Sequence, residues 1–161
     1  MKEKNLLIKN AINFSENVDF NFLSKLLDRN NFESEISSNW LHVFILNSVF
    51  KITGVQEDPF FEDLYLKMNR DYNIEKRKSD LFIFMSMKTG GVSVTHKDEY
   101  DVIIIGGFGK TLYIVEGEEY YVNPGDILKI PKNYTHTAIG ITPRIIFSYG
   151  IYNDAITEST I

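Results

Sequence analysis

The sequence predicts a mainly β protein, built as a sandwich or a barrel. Short apolar runs alternate with Gly- and Pro-containing breaks from residue 81 to residue 153, whereas helical periodicity is confined to residues 1–80. Hydrophobic residues make up 43% and aromatic residues 14% of the 161 positions, which is enough for one compact core. We therefore expect a single domain over residues 1–161, with a barrel core in 81–153 and a cover of helices and strand in 1–80.

The N-terminal cover contains two predicted helices and one strand. Apolar residues recur at helical spacing over 19–29, where Asp19 or Asn21 is the candidate N-cap. Asp58 and Pro59 begin a second helix that extends to about residue 70. Its predicted apolar stripe consists of Phe60, Phe61, Leu64, Tyr65 and Met68. The run from Trp40 to Val55 predicts a strand, in which His42 has no partner nearby in sequence and is interpreted as structural.

The barrel strands are predicted from apolar runs bounded by turn residues. A charged loop over 75–80 precedes them, and Glu116-Gly117 is expected to form a tight hairpin turn. The predicted strands cover residues 81–87, 92–96, 102–105, 111–115, 119–122, 127–130 and 143–152.

Composition excludes several classes of function. The chain has no cysteine, which excludes disulfides, zinc–thiolate sites and thiol catalysis. The net charge of -5 and the lack of a long basic run argue against a nucleic-acid partner. The apolar run in the first ten residues is too short for a signal peptide, and no segment approaches membrane-spanning length. We therefore expect a cytoplasmic protein with neither nucleic acid nor membrane as a partner.

Two segments contain candidate metal ligands. His96 and Asp98 are two residues apart, so both side chains leave the same face of an extended strand. His136 comes eleven residues after Gly125, beyond a turn, a short apolar strand and Pro131. Two histidines and one carboxylate on two strands of a small barrel would form the facial triad that suits non-haem Fe(II). An HxD pair alone is a weak signal, and the second segment makes the prediction more specific.

Residues 81–152 resemble the cupin superfamily. Its second motif is Gly, five residues, Pro, one residue, usually Gly, two residues and His, and it is present from Gly125 to His136 with Asn133 in the glycine position. The first motif is a variant, with Asp98 where many small cupins have a second histidine and Asp101 near the usual glutamate. This resemblance implies a double-stranded β-helix (jelly-roll) barrel with the N-terminal helices packed outside. Because dimers are common among cupins, a homodimer is the expected assembly.

The aspartate variant resembles the JmjC-type 2-oxoglutarate oxygenases, most closely their ribosomal-oxygenase branch. Gly109, the 124–126 turn and Ser148-Tyr149-Gly150 also fall in that family's order. The resemblance implies that His96, Asp98 and His136 bind Fe(II) and form the catalytic centre. It further implies that Ser93 and Ser148 contact 2-oxoglutarate, the co-substrate.

One departure concerns the basic residue that contacts the distal carboxylate of 2-oxoglutarate. Family members usually have Lys or Arg thirteen residues after the aspartate ligand, where this chain has Thr111 preceded by Lys110. A one-residue shift reverses the facing side of a strand, so Lys110 would serve only with a bulge at one of the nearby glycines or a shorter loop. Arg144, which shares strand parity with Ser148, is the other candidate.

The leading hypothesis is hydroxylation of a peptide or protein side chain, or of a small metabolite. The alternative is a metal-binding small cupin of the isomerase or dioxygenase type that does not use 2-oxoglutarate, with Asp101 as a fourth ligand. A ligand-binding cupin without enzymatic activity is a third. Members of the ribosomal branch carry further domains that 161 residues cannot hold, so their substrate does not transfer to this chain.

Overall fold

The computed structural model describes residues 6–30, 49–55, 57–72, 79–90 and 93–152. Three features of the sequence interpretation lie outside these ranges: the first part of the predicted 40–55 strand, its residue His42, and the charged segment 75–78. The described elements, in chain order, are β1 (Leu7–Ile8), α1 (Phe20–Asn30), β2 (Val49–Ile52), α2 (Pro59–Tyr72), β3 (Ser79–Ser86), β4 (Asp101–Phe108), β5 (Thr111–Val115), β6 (Glu118–Val122), β7 (Ile127–Ile130), β8 (His136–Gly140) and β9 (Arg144–Ile151).

Two antiparallel sheets form the barrel. Within the described residues, the larger sheet has six strands in the order β1-β7-β4-β9-β3-β2, and the smaller has three in the order β6-β5-β8. Neighbours such as β4 and β9 are distant in sequence, as in a jelly roll, in which strands are exchanged between two facing sheets. The mainly β architecture predicted from the sequence is confirmed.

The central strands of the larger sheet, β4 and β9, are buried on both faces. Side chains alternate along each strand, so Ile104 and Ile146 face the barrel interior while Ile103 and Ile145 face the helices. The outer face packs against α1 and α2, where the ring of Phe147 lies 5.2 Å from that of Phe61 and 5.9 Å from that of Phe60. The expected position of the N-terminal helices, outside the barrel, is what the described residues show.

Both helices begin at an aspartate that caps them. Asp19 Oδ1 accepts a hydrogen bond of 2.8 Å from the backbone N–H of Phe22 in α1. Asp58 Oδ1 accepts one of 3.0 Å from Phe60 in α2, and the same carboxylate binds Arg29 of α1 at 2.6 and 2.9 Å. Asp58 therefore caps one helix and joins it to the other.

Backbone conformation explains the residues found in two turns. Glu116 and Gly117 both have positive φ, 50° and 84°, which is the geometry of the predicted two-residue hairpin. Asn133 has φ of 65°, a left-handed conformation that glycine and asparagine tolerate best. This accounts for asparagine in a position where the cupin motif usually has glycine.

The predicted strand over 92–96 is wrong for the residues described there. Segment 93–96 runs beside β8 but forms only one isolated bridge with it, between His96 and His136. The backbone N–H of Ala138 bonds the Ser93 hydroxyl at 2.8 Å, where a regular ladder would use a carbonyl. A second correction is smaller: Ser79 and Asp80 belong to β3 and not to the preceding loop.

Candidate metal centre

His96, Asp98 and His136 converge at one end of the barrel. Their candidate ligand atoms all lie within 4.8 Å of one another. His136 Nε2 is 3.4 Å from Asp98 Oδ2, and His96 Nε2 is 3.9 Å from Asp98 Oδ1. The two imidazole centroids are 4.3 Å apart. The three groups that the sequence places in separate segments are thus brought together.

Backbone carbonyls fix the orientation of both imidazole rings. His96 Nδ1 bonds the carbonyl oxygen of Val94 at 2.7 Å, and His136 Nδ1 bonds that of Tyr134 at 3.1 Å. Because a carbonyl can only accept, each Nδ1 must carry the proton, which leaves Nε2 unprotonated in the neutral ring. Both Nε2 atoms face Asp98, and this arrangement is typical of metal-binding histidines.

The loop that carries Asp98 is held by the turn before β8. The backbone N–H of Asn133 donates to the Asp98 carbonyl at 2.8 Å, and that of Lys132 donates to Asp101 Oδ1 at 2.8 Å. Asp101 thus braces the turn and does not join the three-residue cluster. The geometry therefore does not supply the fourth ligand that the alternative hypothesis requires.

The donor set fits a single metal ion. Metal bonds to histidine nitrogen and carboxylate oxygen are about 2.0–2.2 Å long. Separations of 3.4 and 3.9 Å between donors are therefore short enough for one ion to contact the carboxylate and both imidazoles. Two histidines and one carboxylate on one side of an ion leave positions open for other ligands, as in the facial triad of non-haem iron sites.

The cluster opens into a cavity of about 470 Å³ between the two sheets. Most of the wall is aliphatic or aromatic, and the polar groups lie at a few points, as in typical small-molecule sites. The lining residues are Val49, Lys51, Phe82, Phe84, Ser93, His96, Asp98, Tyr100, Val102, Ile104, Tyr113, His136, Ala138, Arg144, Ile146, Ser148 and Gly150.

Arg144 is a buried cation in the cavity wall. Its side chain extends from the start of β9 and packs directly on the α-carbon of Gly140, where any larger side chain would collide with the guanidinium. Nη1 donates weakly to the Lys88 carbonyl at 3.5 Å. Burial lowers the pKa of Arg144, an effect that Tyr113 partly offsets. Since burial disfavours the positive charge, a bound anion would be stabilising here.

The two predicted serines both line the cavity. Ser148 lies on β9 with the same facing as Arg144, as strand parity predicts. Ser93 is also in the wall, but its hydroxyl already accepts the hydrogen bond from Ala138 and lies 3.4 Å from the Thr137 hydroxyl. Ser93 therefore has a structural role in addition to any ligand contact.

Lys110 and Thr111, the other predicted co-substrate contacts, are not among the lining residues. A bulge does form at 106–108 as the lysine alternative requires, but Lys110 Nζ lies 4.7 Å from the ring centroid of the exposed Tyr121. Thr111 faces inward and is fully buried, and its hydroxyl has no hydrogen-bond partner among the described residues. It pairs with Gly140, which places it beside the Arg144 guanidinium.

Sequence reasoning missed two polar residues of the cavity wall, Lys51 and Tyr113. Lys51 is one of several lysines in the N-terminal half, and only the pairing of β2 with β3 brings it to the site. Tyr113 lies beside Arg144. Tyr113 could have been predicted from the alternation of side chains along β5, because it lies two residues after Thr111 and therefore on the same face.

Comparisons with solved structures identify the fold. YcfD, a ribosomal oxygenase from Escherichia coli, solved with cobalt and succinic acid, superposes with a TM-score of 0.68 at 22% identity, over 94% of this chain and 49% of that one. A YcfD complex with cobalt and 2-oxoglutarate matches with a TM-score of 0.50 at 28% identity, over 58% and 28%. A cupin superfamily protein from Desulfitobacterium hafniense matches with a TM-score of 0.50 at 13% identity, over 66% and 80%.

The chain has the fold of the cupin superfamily, which is the fold that its motifs imply. It spans about half the length of YcfD. No protein-family model matches the sequence, and no curated protein does. Among the described helices, none combines the length and the apolar character needed to cross a membrane.

Proposed function

We propose that this protein is an Fe(II)- and 2-oxoglutarate-dependent oxygenase that hydroxylates a small metabolite or a side chain of a peptide or protein. The observation that carries the proposal is one cavity with a two-histidine, one-carboxylate cluster and a buried arginine in its wall. A metal-chelating acid with a second, distal carboxylate needs these two kinds of group. YcfD, which has the same fold, was solved with cobalt and 2-oxoglutarate.

His96, Asp98 and His136 would hold the iron by two imidazole nitrogens and one carboxylate oxygen. When bound, the iron and 2-oxoglutarate would supply the oxidation of a substrate C–H bond to C–OH by O2, with conversion of 2-oxoglutarate to succinate and CO2. The proposed role of the carbonyls of Val94 and Tyr134 is to keep each Nδ1 protonated, so that Nε2 is available to the metal.

Arg144 would bind the distal carboxylate of 2-oxoglutarate. Ser148, four residues further along β9 and on the same face, would be a further hydrogen-bond donor. A guanidinium binds a carboxylate by two parallel hydrogen bonds, and burial strengthens that interaction. The neighbouring Thr111 hydroxyl, which lacks a partner among the described residues, is a candidate third donor. The apolar walls supplied by Phe84, Ile104 and Ile146 would exclude water.

The test is an anaerobic calorimetric titration of 2-oxoglutarate into Fe(II)-loaded protein. We expect binding that weakens about 10- to 100-fold in Arg144→Ala, the usual effect of losing a charge-assisted hydrogen bond. Lys110→Ala is the matched control, because this lysine lies outside the cavity, and it should bind like the wild type. Thr111→Val should weaken binding less than Arg144→Ala does.

Thermal unfolding of each variant must accompany the titration, since Arg144 is buried and its loss can perturb β9. Arg144→Lys retains the positive charge but loses the two parallel N–H donors of the guanidinium, so it should bind 2-oxoglutarate with intermediate affinity. If metal-loaded wild-type protein does not bind 2-oxoglutarate, the proposal is wrong. The alternative of a metal-binding cupin that does not use this co-substrate would then be favoured.

Peptide, protein and small-molecule substrates all remain within the proposal. Three expectations stay predictions from composition and resemblance: that the protein has no nucleic-acid partner, that it is cytoplasmic, and that it forms a homodimer.

A further inference from the structure

Lys51 is a second cation in the cavity wall and has no role in the proposed reaction. It lies on β2, an edge strand of the larger sheet as described. Its ammonium group sits 3.6 Å from the centroid of the Phe82 ring, a cation–π contact that holds the side chain over the cavity wall. Lys51 is exposed, so a ligand in the cavity can reach its ammonium group.

Among the described lining residues, one positive charge has no partner once the metal and 2-oxoglutarate are assigned to their proposed ligands. Apart from the two histidines, the charged side chains among them are Asp98, Arg144 and Lys51. Asp98 would hold the metal and Arg144 would hold the distal carboxylate of the co-substrate. No carboxylate of the described residues lies within ion-pair distance of Lys51. Its positive charge is therefore available to a second anion.

Lys51 and Arg144 start from different positions along the cavity wall. Arg144 on β9 pairs with Ser86 on β3, which in turn pairs with Val49 on β2. Lys51 lies two residues beyond Val49 on β2, which is one side-chain repeat along the same face. With strands about 4.8 Å apart and side chains on one face repeating every ~6.7 Å, the two Cα atoms are about 12 Å apart. Because the proposed function assigns Arg144 to the distal carboxylate of 2-oxoglutarate, we assign a carboxylate on Lys51 to a second molecule.

The surroundings of Lys51 indicate the rest of that molecule. Val49, Phe82 and Phe84 flank Lys51 on β2 and β3 and are all in the cavity wall. Val49 is 47% exposed, so this part of the wall presents apolar surface as well as charge. An anion with an aliphatic or aromatic body would satisfy both features, whereas a cationic substrate would be repelled.

We infer that Lys51 binds a carboxylate of the primary substrate, which is therefore an apolar carboxylic acid or the equivalent acidic side chain of a peptide. This inference rests on the proposed function and names the substrate class of the same site. Lys51 would act as a specificity residue that orients the substrate, and it would not contact the metal.

The test uses metal-loaded protein with saturating 2-oxoglutarate under anaerobic conditions, and matched probes of opposite charge. Hexanoate and hexylamine are titrated first, followed by blocked leucyl-glutamate and leucyl-lysine dipeptides, which distinguish a small acid from an acidic peptide. We expect hexanoate or the glutamate peptide to bind and the amines not to. Lys51→Met keeps the aliphatic contact with Phe82 and should weaken binding of the acid about tenfold or more.

Two further variants make the result specific. Lys110→Met is the matched control, since Lys110 also makes a cation–π contact, with Tyr121, but outside the cavity. It should bind the acids like the wild type. Lys51→Glu should reverse the preference from acid to amine, which a general loss of folding cannot do.

The outcomes separate this inference from the function on which it rests. Normal 2-oxoglutarate binding with equal acid affinity in wild type and Lys51→Met would overturn the inference alone, as would failure of every acid probe to bind the wild type. Loss of 2-oxoglutarate binding in Lys51→Met but not in Arg144→Ala would make Lys51 the co-substrate contact and would also overturn it. No 2-oxoglutarate binding to any form would instead reject the proposed function.

Discussion

The two imidazoles are oriented by their own backbone before any ion arrives. Each Nδ1 donates to a carbonyl two residues earlier in the chain, Val94 for His96 and Tyr134 for His136. The same hydrogen bond to the carbonyl two residues earlier thus recurs at both histidines. A ligand that is already oriented loses less conformational freedom on metal binding, so the cluster should bind with little rearrangement.

Replacement of Asp98 by Asn tests the cluster directly. The amide keeps the shape but loses the negative charge, so metal affinity should fall by more than about 100-fold, beyond the usual effect of outer contacts. Anaerobic titration with Co(II), followed by absorbance, measures this without any turnover. Asp101→Asn is the control, because an amide oxygen can still accept from Lys132 and the residue lies outside the cluster.

Equal weakening in the Asp98 and Asp101 variants would contradict a three-ligand site and would support the alternative with four ligands. Unchanged affinity in Asp98→Asn would exclude the carboxylate as a ligand.

At the scale of elements, the helices depend on one carboxylate for both their start and their pairing. Asp58 is buried, caps α2 and binds Arg29 of α1 by two hydrogen bonds. Arg29 is 38% exposed, so solvent screens the ion pair and its net contribution is small. The helix cap at Asp58 is therefore expected to contribute more to the free energy of unfolding than the ion pair with Arg29 does.

Two substitutions at Asp58 separate these contributions. Asp58→Asn keeps a capping oxygen and should lower the free energy of unfolding by about 1 kcal/mol. Asp58→Ala removes cap and pair together and should cost about 2–3 kcal/mol. Urea denaturation measures both. Equal losses in the two variants would show that the pair with Arg29, and not the cap, carries the stability.

At the scale of the whole molecule, Asp126 joins the N-terminal segment to the barrel. Its buried carboxylate accepts from Lys9 Nζ at 2.8 Å and from the backbone N–H groups of Asn10 and Asn123 at 2.9 and 2.8 Å. Burial alone would raise the pKa of Asp126, but these hydrogen bonds outweigh it and hold the pKa below the ordinary 3.8. Stability from this group is thus present above pH 4 and is lost as the pH falls through the lowered pKa.

Substitution of Asp126 by Asn should therefore remove part of the acid sensitivity. We expect a loss of about 1–3 kcal/mol at pH 7, because an amide cannot accept all of these bonds, and a difference from wild type that shrinks below pH 4. Urea denaturation between pH 7 and pH 3 measures it. Asp63→Asn, which breaks a surface pair with Lys67, is the control and should change stability by less than about 0.5 kcal/mol. A constant difference at all pH values would contradict the assignment.

The sequence was sufficient for features that depend on local chemistry. Both aspartate caps, the Glu116-Gly117 turn and most barrel strands follow from spacing and turn residues, and the triad follows from two motifs. The choice between Lys110 and Arg144 could not be made, because it depends on how the chain turns between β4 and β5. Lys51 could not be found at all, since its position is set by strand pairing. The prediction of a strand over 92–96 was wrong because the Ser93 hydroxyl, and not a backbone carbonyl, accepts the hydrogen bond from the N–H of Ala138.

The pairing of β1 with β7 also has a kinetic consequence. Leu7 pairs with Leu128 and Lys9 binds Asp126, so contacts of the first strand wait for residues more than 110 positions later. At 5–20 residues per second, a ribosome would take on the order of ten seconds to make that partner strand. Helices α1 and α2 must wait longer, because β9 forms part of the surface on which they pack. Protease digestion of ribosome-bound chains of increasing length should therefore find the early segments unprotected until β9 has emerged.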